Sequence, residues 1–264
     1  MSATVPKIRL TEVCKSFGAK VVLDHLSLWV ETGESVVLIG GSGTGKSVLL
    51  KHIIGLIRPD SGKVEIDGVD LESLDPHELT KFRRRFGMAF QEGALFDSMT
   101  VGANIAFPLR RHSQKSPAEI AERVRECLAT VRLEGVEDRL PSQLSGGMRR
   151  RVGFARAIAL EPEILLFDEP TTGLDPVTTA LIDEVIIDIR ERLSTTTVTI
   201  THDMGSAFRI ADRIGMLHQG RILALAPPDE LRQLPDPRIQ QFLRGEAEGP
   251  LTESAPVASQ NRRR

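Results

Sequence analysis

The run Gly40-Gly41-Ser42-Gly43-Thr44-Gly45-Lys46-Ser47 constrains this chain more than any other stretch. It follows the apolar residues Val36, Val37, Leu38 and Ile39 and precedes a helical pattern of Val48, Leu49, Leu50, Ile53 and Ile54. Strand, glycine-rich turn and helix make up the context in which G-x-x-x-x-G-K-[ST] becomes a phosphate-binding loop. Glycines let consecutive backbone N–H groups curl around an anion, and the helix N-terminus adds its positive end. In such a loop Lys46 reaches the β- and γ-phosphates, and the Ser47 hydroxyl ligates Mg²⁺. Outside that context the same letters would be an ordinary Gly/Ser turn.

Composition narrows what the loop can serve. A net charge of −2 over 264 residues supplies no global field for nucleic acid or anionic lipid. Aromatic residues are 4% of the chain, with no Tyr and one Trp, Trp29, so a base-stacking surface is not expected. Cys14 and Cys127 are far apart, one in a predicted strand and one in a predicted helix. They suggest neither a disulfide framework nor a metal spacing, and read as reduced thiols of a cytosolic protein. No signal-peptide pattern opens the sequence, and no run approaches the ~18 apolar residues of a membrane span. The chain is therefore not expected to cross a bilayer by itself.

Residues 7–17 alternate apolar and polar as a half-buried strand does, and 22–30 repeat the pattern. After the loop helix, Pro59-Asp60-Ser61-Gly62 reads as a turn, and Val64-Glu65-Ile66 followed by Asp67-Gly68 as a hairpin. Antiparallel strands thus flank a part expected to be α/β. Lys81, Arg83, Arg84 and Arg85 form a basic cluster before a short strand over 86–90; a solvated face is the plain reading, contact with a partner or lipid headgroups the sharper one. Residues 100–160 look helical, with a capping box at Ser116-Pro117-Ala118-Glu119 and Ile120, Val124, Cys127, Leu128 and Val131 on one face. Ile164-Leu165-Leu166-Phe167 suits the middle of a parallel sheet. A helix is expected over 177–193, with apolar residues at Val177, Leu181, Val185 and Ile189. A strand over 197–200 ends at His202, and 214–225 reads as a hairpin around Gln219-Gly220. The stretch from Gly245 onward, rich in Glu, Pro, Ala and Ser and ending in three arginines, is expected to be mobile.

Asp168 and Glu169 directly follow the apolar strand. A carboxylate there can hold the Mg²⁺ of a bound nucleotide, and the next can act as general base toward a water in line with the γ-phosphate. Leu144-Ser145-Gly146-Gly147-Met148, placed before a helical run, forms a second candidate anion-binding helix N-terminus. Alone, an acidic pair or a Ser-Gly-Gly is usually a solvated loop. Together with the phosphate loop they form a set.

Over residues 7–243 the sequence resembles the ATP-binding cassette (ABC) family. The resemblance rests on GGSGTGKS, Gln91, LSGGM, ILLFDEP, Gly173-Leu174-Asp175 and His202. It implies an α/β fold: a P-loop NTPase (RecA-like) core with a flanking antiparallel β-subdomain and an inserted α-helical subdomain at about 92–160. Residues 1–244 would form one domain and 245–264 a tail. It also implies ATP and Mg²⁺ as cofactors, and a homodimer in which the phosphate loop of one copy faces Ser145, Gly146 and Gly147 of the other. By position, Ser47, Gln91 and Asp168 would serve the metal, Glu169 would be the base and His202 the γ-phosphate switch. Asp175 would couple the two sites, and Phe17 would stack on adenine. Met148 stands where the family's signature usually has Gln; the backbone donors precede it, so ATP use is expected to survive.

A single cassette with a helical insertion and no span looks like the separate ATPase subunit of a bacterial transporter, peripheral on the cytoplasmic face of the inner membrane. Long coiled coils of chromosome-maintenance cassettes and tandem translation-factor cassettes do not fit, and no nucleic-acid partner is expected. The stretch from Gln91 to Val101, Asn104, Phe107-Pro108-Leu109-Arg110 and Asp236-Pro237-Arg238-Ile239-Gln240-Gln241-Phe242-Leu243 resemble the ATPases of MCE-type phospholipid transporters. That resemblance implies a multi-span permease and an MCE-domain protein as partners, with room for a small regulatory subunit. A polar amino-acid importer ATPase and a soluble regulatory cassette without a permease stay open as alternatives.

Overall fold

The computed structural model describes residues 5–91 and 93–252. It begins with β1 (Ile8–Phe17) and β2 (Lys20–Val30), an antiparallel pair, then β3 (Ser35–Ile39) and α1 (Lys46–Ile53). β4 (Ser61–Ile66) and β5 (Val69–Asp70) follow, joined by Asp67 and Gly68 at φ 49° and 76°. Two successive positive φ values match the twist of the flanking strands, which makes Asp-Gly a favoured two-residue hairpin turn. Ser61 pairs with Cys14, so β4 starts inside the stretch expected to be a turn and leaves only Pro59-Asp60 outside it.

Next come α2 (Pro76–Phe82), β6 (Phe86–Ala89), α3 (Val101–His112), α4 (Pro117–Thr130) and α5 (Gly146–Ala157). Then β7 (Ile164–Asp168), α6 (Pro176–Leu193), β8 (Thr196–Ile200) and α7 (Met204–Ile210) follow. β9 (Arg213–His218), β10 (Arg221–Ala226), α8 (Pro228–Gln233) and α9 (Pro237–Arg244) close the described chain.

Two sheets result. A four-stranded antiparallel sheet has the order β2-β1-β4-β5, and a six-stranded sheet has the order β10-β9-β3-β8-β7-β6. In the second, β9, β3, β8, β7 and β6 are parallel and only the edge strand β10 runs antiparallel. Strand side chains alternate, so each central strand feeds two cores. Val36, Leu38, Ile164 and Leu166 join α1 and the antiparallel sheet on one face. Val37, Ile39, Leu165 and Phe167 join α3 to α6 on the other. Phe154 of α5 packs edge-on against Phe167 at 5.1 Å between centroids, fastening the helical insertion to the sheet. Each such buried ring contributes about 1.5–3 kcal/mol.

The capping box on α4 is present, with Ser116 accepting from the Glu119 amide and Glu119 accepting from the Ser116 amide. Of the apolar positions expected along α6, Val185 and Ile189 face inward, joined by Ile182 and Ile186, while Val177 is 81% exposed.

The basic cluster before β6 is not simply solvated. Arg83 donates to the carbonyls of Ile54 and Gly55, and Arg85 pairs with Asp67 and Glu163. Through Thr252 the stretch expected to be mobile is tied to α9, with the Leu251 amide 2.7 Å from Gln241 Oε1. Residues 253–264, including the terminal arginines, lie outside the described residues, as does Glu92.

Candidate functional site

The glycine-rich loop leaves the carboxyl end of β3 between two parallel neighbours, β8 and β9, the place where open α/β sheets present ligand crevices. Its first glycine is required by space as well as by conformation. Gly40 has φ +147°, and a Cβ there would lie 2.2 Å from the Leu217 carbonyl oxygen. Gly45, in the left-handed region at φ 105°, opens α1.

Lys46 is only 9% exposed, and its ammonium donates to the carbonyls of Gly40 (2.8 Å) and Gly41 (3.0 Å). Burial lowers its pKa, and the nearby carboxylates of Glu169 and Asp168 act in the opposite direction. Ser47 Oγ donates to Asp168 Oδ1 at 3.3 Å. Burial raises the Asp168 pKa, partly countered by that serine. A hydroxyl and a carboxylate converging at an accessible point form a hard oxygen donor set, of the kind Mg²⁺ prefers.

Glu169 follows at the end of β7 with φ 53°, a left-handed backbone unusual for a residue with a side chain. Such a conformation costs on the order of 1–3 kcal/mol and persists only where the surroundings impose it. Here the Glu169 amide donates to the Ile200 carbonyl at 2.9 Å. Its Oε2 accepts from Thr172 Oγ1 at 2.7 Å and lies 2.8 Å from His202 Nδ1. A cleft of about 380 Å³ opens between Glu169, Lys46, Ser47, Gly43 and, on β2, Lys20 and Val22. Phe17, at the end of β1, is half exposed and accessible for stacking.

Four other sequence-predicted residues lie apart from this cleft. Ser145 caps α5 by accepting from the Met148 amide at 3.2 Å, so Gly146 and Gly147 form that helix's first turn. A Cβ on Gly147 would stand 2.6 Å from Thr178 Cγ2, which excludes larger residues. Asp175 caps α6, accepting from the amides of Val177 and Thr178 and from the Thr178 hydroxyl, whose hydrogen bond is the main cause of its lowered pKa. The groove beside the signature is lined by Gly146, Arg149, Gly173 and Leu174, and no residue of the 40–47 loop is among its lining. Within one copy of the chain the loop and the signature groove are thus separate surfaces. Gln91 follows β6, next to β7 in the sheet, with an exposed side chain. Met148 departs from the usual signature without disturbing it: its amide takes part in the cap and its side chain packs on the core.

Sequence reasoning overlooked the residue that joins these parts. Arg150 is buried and donates to the carbonyls of Gln91 (2.7 Å), Pro170 (2.9 Å) and Thr172. It ties the signature helix to the segments that carry Gln91 and Glu169. The available signal was its helical spacing from Gly147 and Phe154, which puts it on the buried face of α5. Asn104 is a second residue whose role the sequence does not reveal. It is fully buried, bonds to the amide and carbonyl of Phe96 and donates to the carbonyls of Met99 and Thr100, clamping the loop after Gln91.

The fold and this pairing of phosphate loop with signature define a nucleotide-binding cassette. The ABC transporter family profile matches residues 23–172. The chain is 43% identical to the "Probable ribonucleotide transport ATP-binding protein mkl" of Mycobacterium bovis, over 92% of this chain and 68% of that protein. It is 39% identical to the "Intermembrane phospholipid transport system ATP-binding protein MlaF" of Escherichia coli K12, over 92% of this chain and 91% of that one. Among solved structures it resembles the dimeric MJ0796 cassette in a post-hydrolysis state bound to ADP and Pi, with TM-score 0.77, 35% identity and coverage of 84% and 98%. It also resembles cbiO1 from Clostridium perfringens, with TM-score 0.80, 26% identity and coverage of 90% and 99%. The chain belongs to the ABC transporter family and is an ATP-binding cassette ATPase.

Proposed function

We propose that this chain is the ATPase subunit of a bacterial inner-membrane transporter that moves phospholipid between that membrane and a periplasmic MCE-domain protein. The observation that carries the reading is the match to MlaF, which runs across 91% of that relative rather than the cassette core alone. No helix among the described residues is long and apolar enough to cross a membrane, so the path for the lipid belongs to a separate permease. The chain docks peripherally on that permease from the cytoplasmic side, as a single cassette over 1–244 with 245–264 as a tail.

The site residues support hydrolysis by a closed homodimer. The 40–47 loop of one copy and Ser145 to Gly147 of the other would hold one ATP between them, with Asp175 linking the two sites and Phe17 stacking on adenine. Lys46 leaves the Gly40 and Gly41 carbonyls for phosphate oxygens. Ser47, Asp168 and Gln91 would hold Mg²⁺, which when bound neutralises charge on the β- and γ-phosphates. Glu169 takes a proton from the attacking water, and His202 orients that carboxylate and senses the γ-phosphate.

The name of the mycobacterial relative favours a second reading, ribonucleotide transport. Gentle extraction of the tagged chain from its native membrane separates the two. Co-purification with a multi-span permease, an MCE-domain protein and bound phospholipid is the expected result. A complex that lacks the MCE protein and takes up labelled ribonucleotide in vesicles would overturn it.

A further inference from the structure

The antiparallel sheet holds a second group of ligand-type side chains, separate from Ser47 and Asp168. In the β1–β2 ladder Val13 pairs with Leu26 and Lys15 with Leu23, with a register shift between them. One residue of β1, Cys14, therefore stands opposite two of β2, Asp24 and His25, which is a bulge. One ligand atom from each of these three side chains lies within 4.8 Å of the other two.

Each of the three is oriented by a further group. The His25 amide donates to Cys14 Sγ at 3.3 Å. His25 Nδ1 lies 3.1 Å from Glu12 Oε2, and Ser27 Oγ donates to Glu12 Oε1 at 3.0 Å. Arg221 Nε donates to Asp24 Oδ2 at 2.8 Å, while Asp24 Oδ1 faces His25 Nε2 at 4.0 Å. One carboxylate oxygen and one imidazole nitrogen are thus occupied by orienting partners, and their counterparts, Asp24 Oδ1 and His25 Nε2, lie 4.0 Å apart.

We propose that Cys14, Asp24 and His25 bind a borderline-soft divalent cation such as Zn²⁺, with water as the fourth ligand. Thiolate, imidazole and carboxylate are the donors Zn²⁺ takes, at bond lengths that set neighbouring ligand atoms roughly 3.5 Å apart. The contraction from the observed spacing is about 1 Å, which rotation of the exposed His25 side chain and the half-exposed Asp24 supplies. A carboxylate on the second nitrogen of a ligating histidine, the position of Glu12, raises its basicity and fixes its tautomer. The single thiol and single carboxylate disfavour Mg²⁺. The Asp24 amide also donates to the Gly220 carbonyl at 3.0 Å, so the ion would sit where the β1–β2 and β9–β10 hairpins meet.

Titration of the full-length, metal-free protein with Co²⁺ in the absence of nucleotide tests the site. A near-ultraviolet thiolate-to-cobalt band and four-coordinate visible bands are expected, saturating at one equivalent and displaced by Zn²⁺. Cys14→Ser should remove the charge-transfer band, and both Cys14→Ser and His25→Ala should weaken Zn²⁺ binding at least tenfold. Glu12→Gln should retain the band and weaken binding by about 10–100-fold. Absence of the band in the wild-type protein, or unchanged Zn²⁺ affinity in His25→Ala, overturns the proposal. His25 is exposed, so its variant is readable even where Cys14→Ser fails to fold.

Discussion

His202 Nδ1 lies 2.8 Å from Glu169 Oε2, although 33 residues separate them in the chain and they end different strands, β8 and β7. Parallel pairing of Asp168 with Ile200 brings the two strand ends level, and the Glu169 amide on the Ile200 carbonyl continues that register by one residue. Glu169 is thereby held by three groups, Ile200, Thr172 and His202, before any nucleotide arrives. For Glu169→Gln the expected outcome is retained ATP binding with turnover reduced by about 10²–10⁴-fold. ATP-bound dimer should accumulate on size-exclusion chromatography. Turnover within a few-fold of wild type would place the base elsewhere.

Lys46→Ala removes the one cation resting on the Gly40 and Gly41 carbonyls. A nucleotide in the loop would then leave its phosphate charge unpaired in a desolvated site, which typically costs 2–5 kcal/mol. ATP affinity measured by calorimetry should fall at least about 30-fold.

Arg150→Ala should lower stability by about 3 kcal/mol, because three carbonyls lose a charged donor in a buried place. Denaturant unfolding measures this. Arg150→Lys should recover only part of the loss, since an ammonium cannot span the planar fork of three acceptors. ATP turnover should drop in both variants while the 40–47 loop, which supplies none of the three carbonyls bonded to Arg150, stays intact, giving a larger effect on kcat than on KM.

Glu163 provides a pH-dependent contact. Its hydrogen bond to Arg85, with a further one to Lys7, holds its pKa down at about 2 against an ordinary 4.5. A depressed carboxylate contributes stability above its unfolded pKa and loses it as pH falls through the folded value. After solvent screening the contribution is about 1–2 kcal/mol. The stability difference between wild type and Glu163→Gln should therefore be constant above about pH 5, shrink between about 4.5 and 2, and vanish below. Unfolding curves across that range check it.

The local signals were legible from the sequence because their physics is local. The 40–47 loop, the Ser116 capping box, the Asp67-Gly68 and Gln219-Gly220 turns and the apolar β7 each depend on residues within a few positions of one another. Helical spacing groups Val177 with Val185 and Ile189 but does not tell where the core ends, and Val177 is exposed. Arg150 stood unnoticed in a run of three arginines, and only its helical spacing from Gly147 and Phe154 separates it from its two neighbours.

The phosphate loop, the acidic pair after a buried strand, the signature turn, the main strands and the helical stretches over 100–160 and 177–193 are legible in the sequence as short-range patterns of sterics and hydrogen bonding, whereas α2, α7, α8 and α9 emerge only in the fold. Only the tertiary structure decided that Ser47 meets Asp168, that His202 meets Glu169, and that Arg150 joins the signature helix to both carboxylate-bearing and Gln91-bearing segments. It also set the signature groove apart from the loop in one copy. Strand register and the packing of α5 on the sheet fix those distances, and both arise from burying side chains that are remote in the chain.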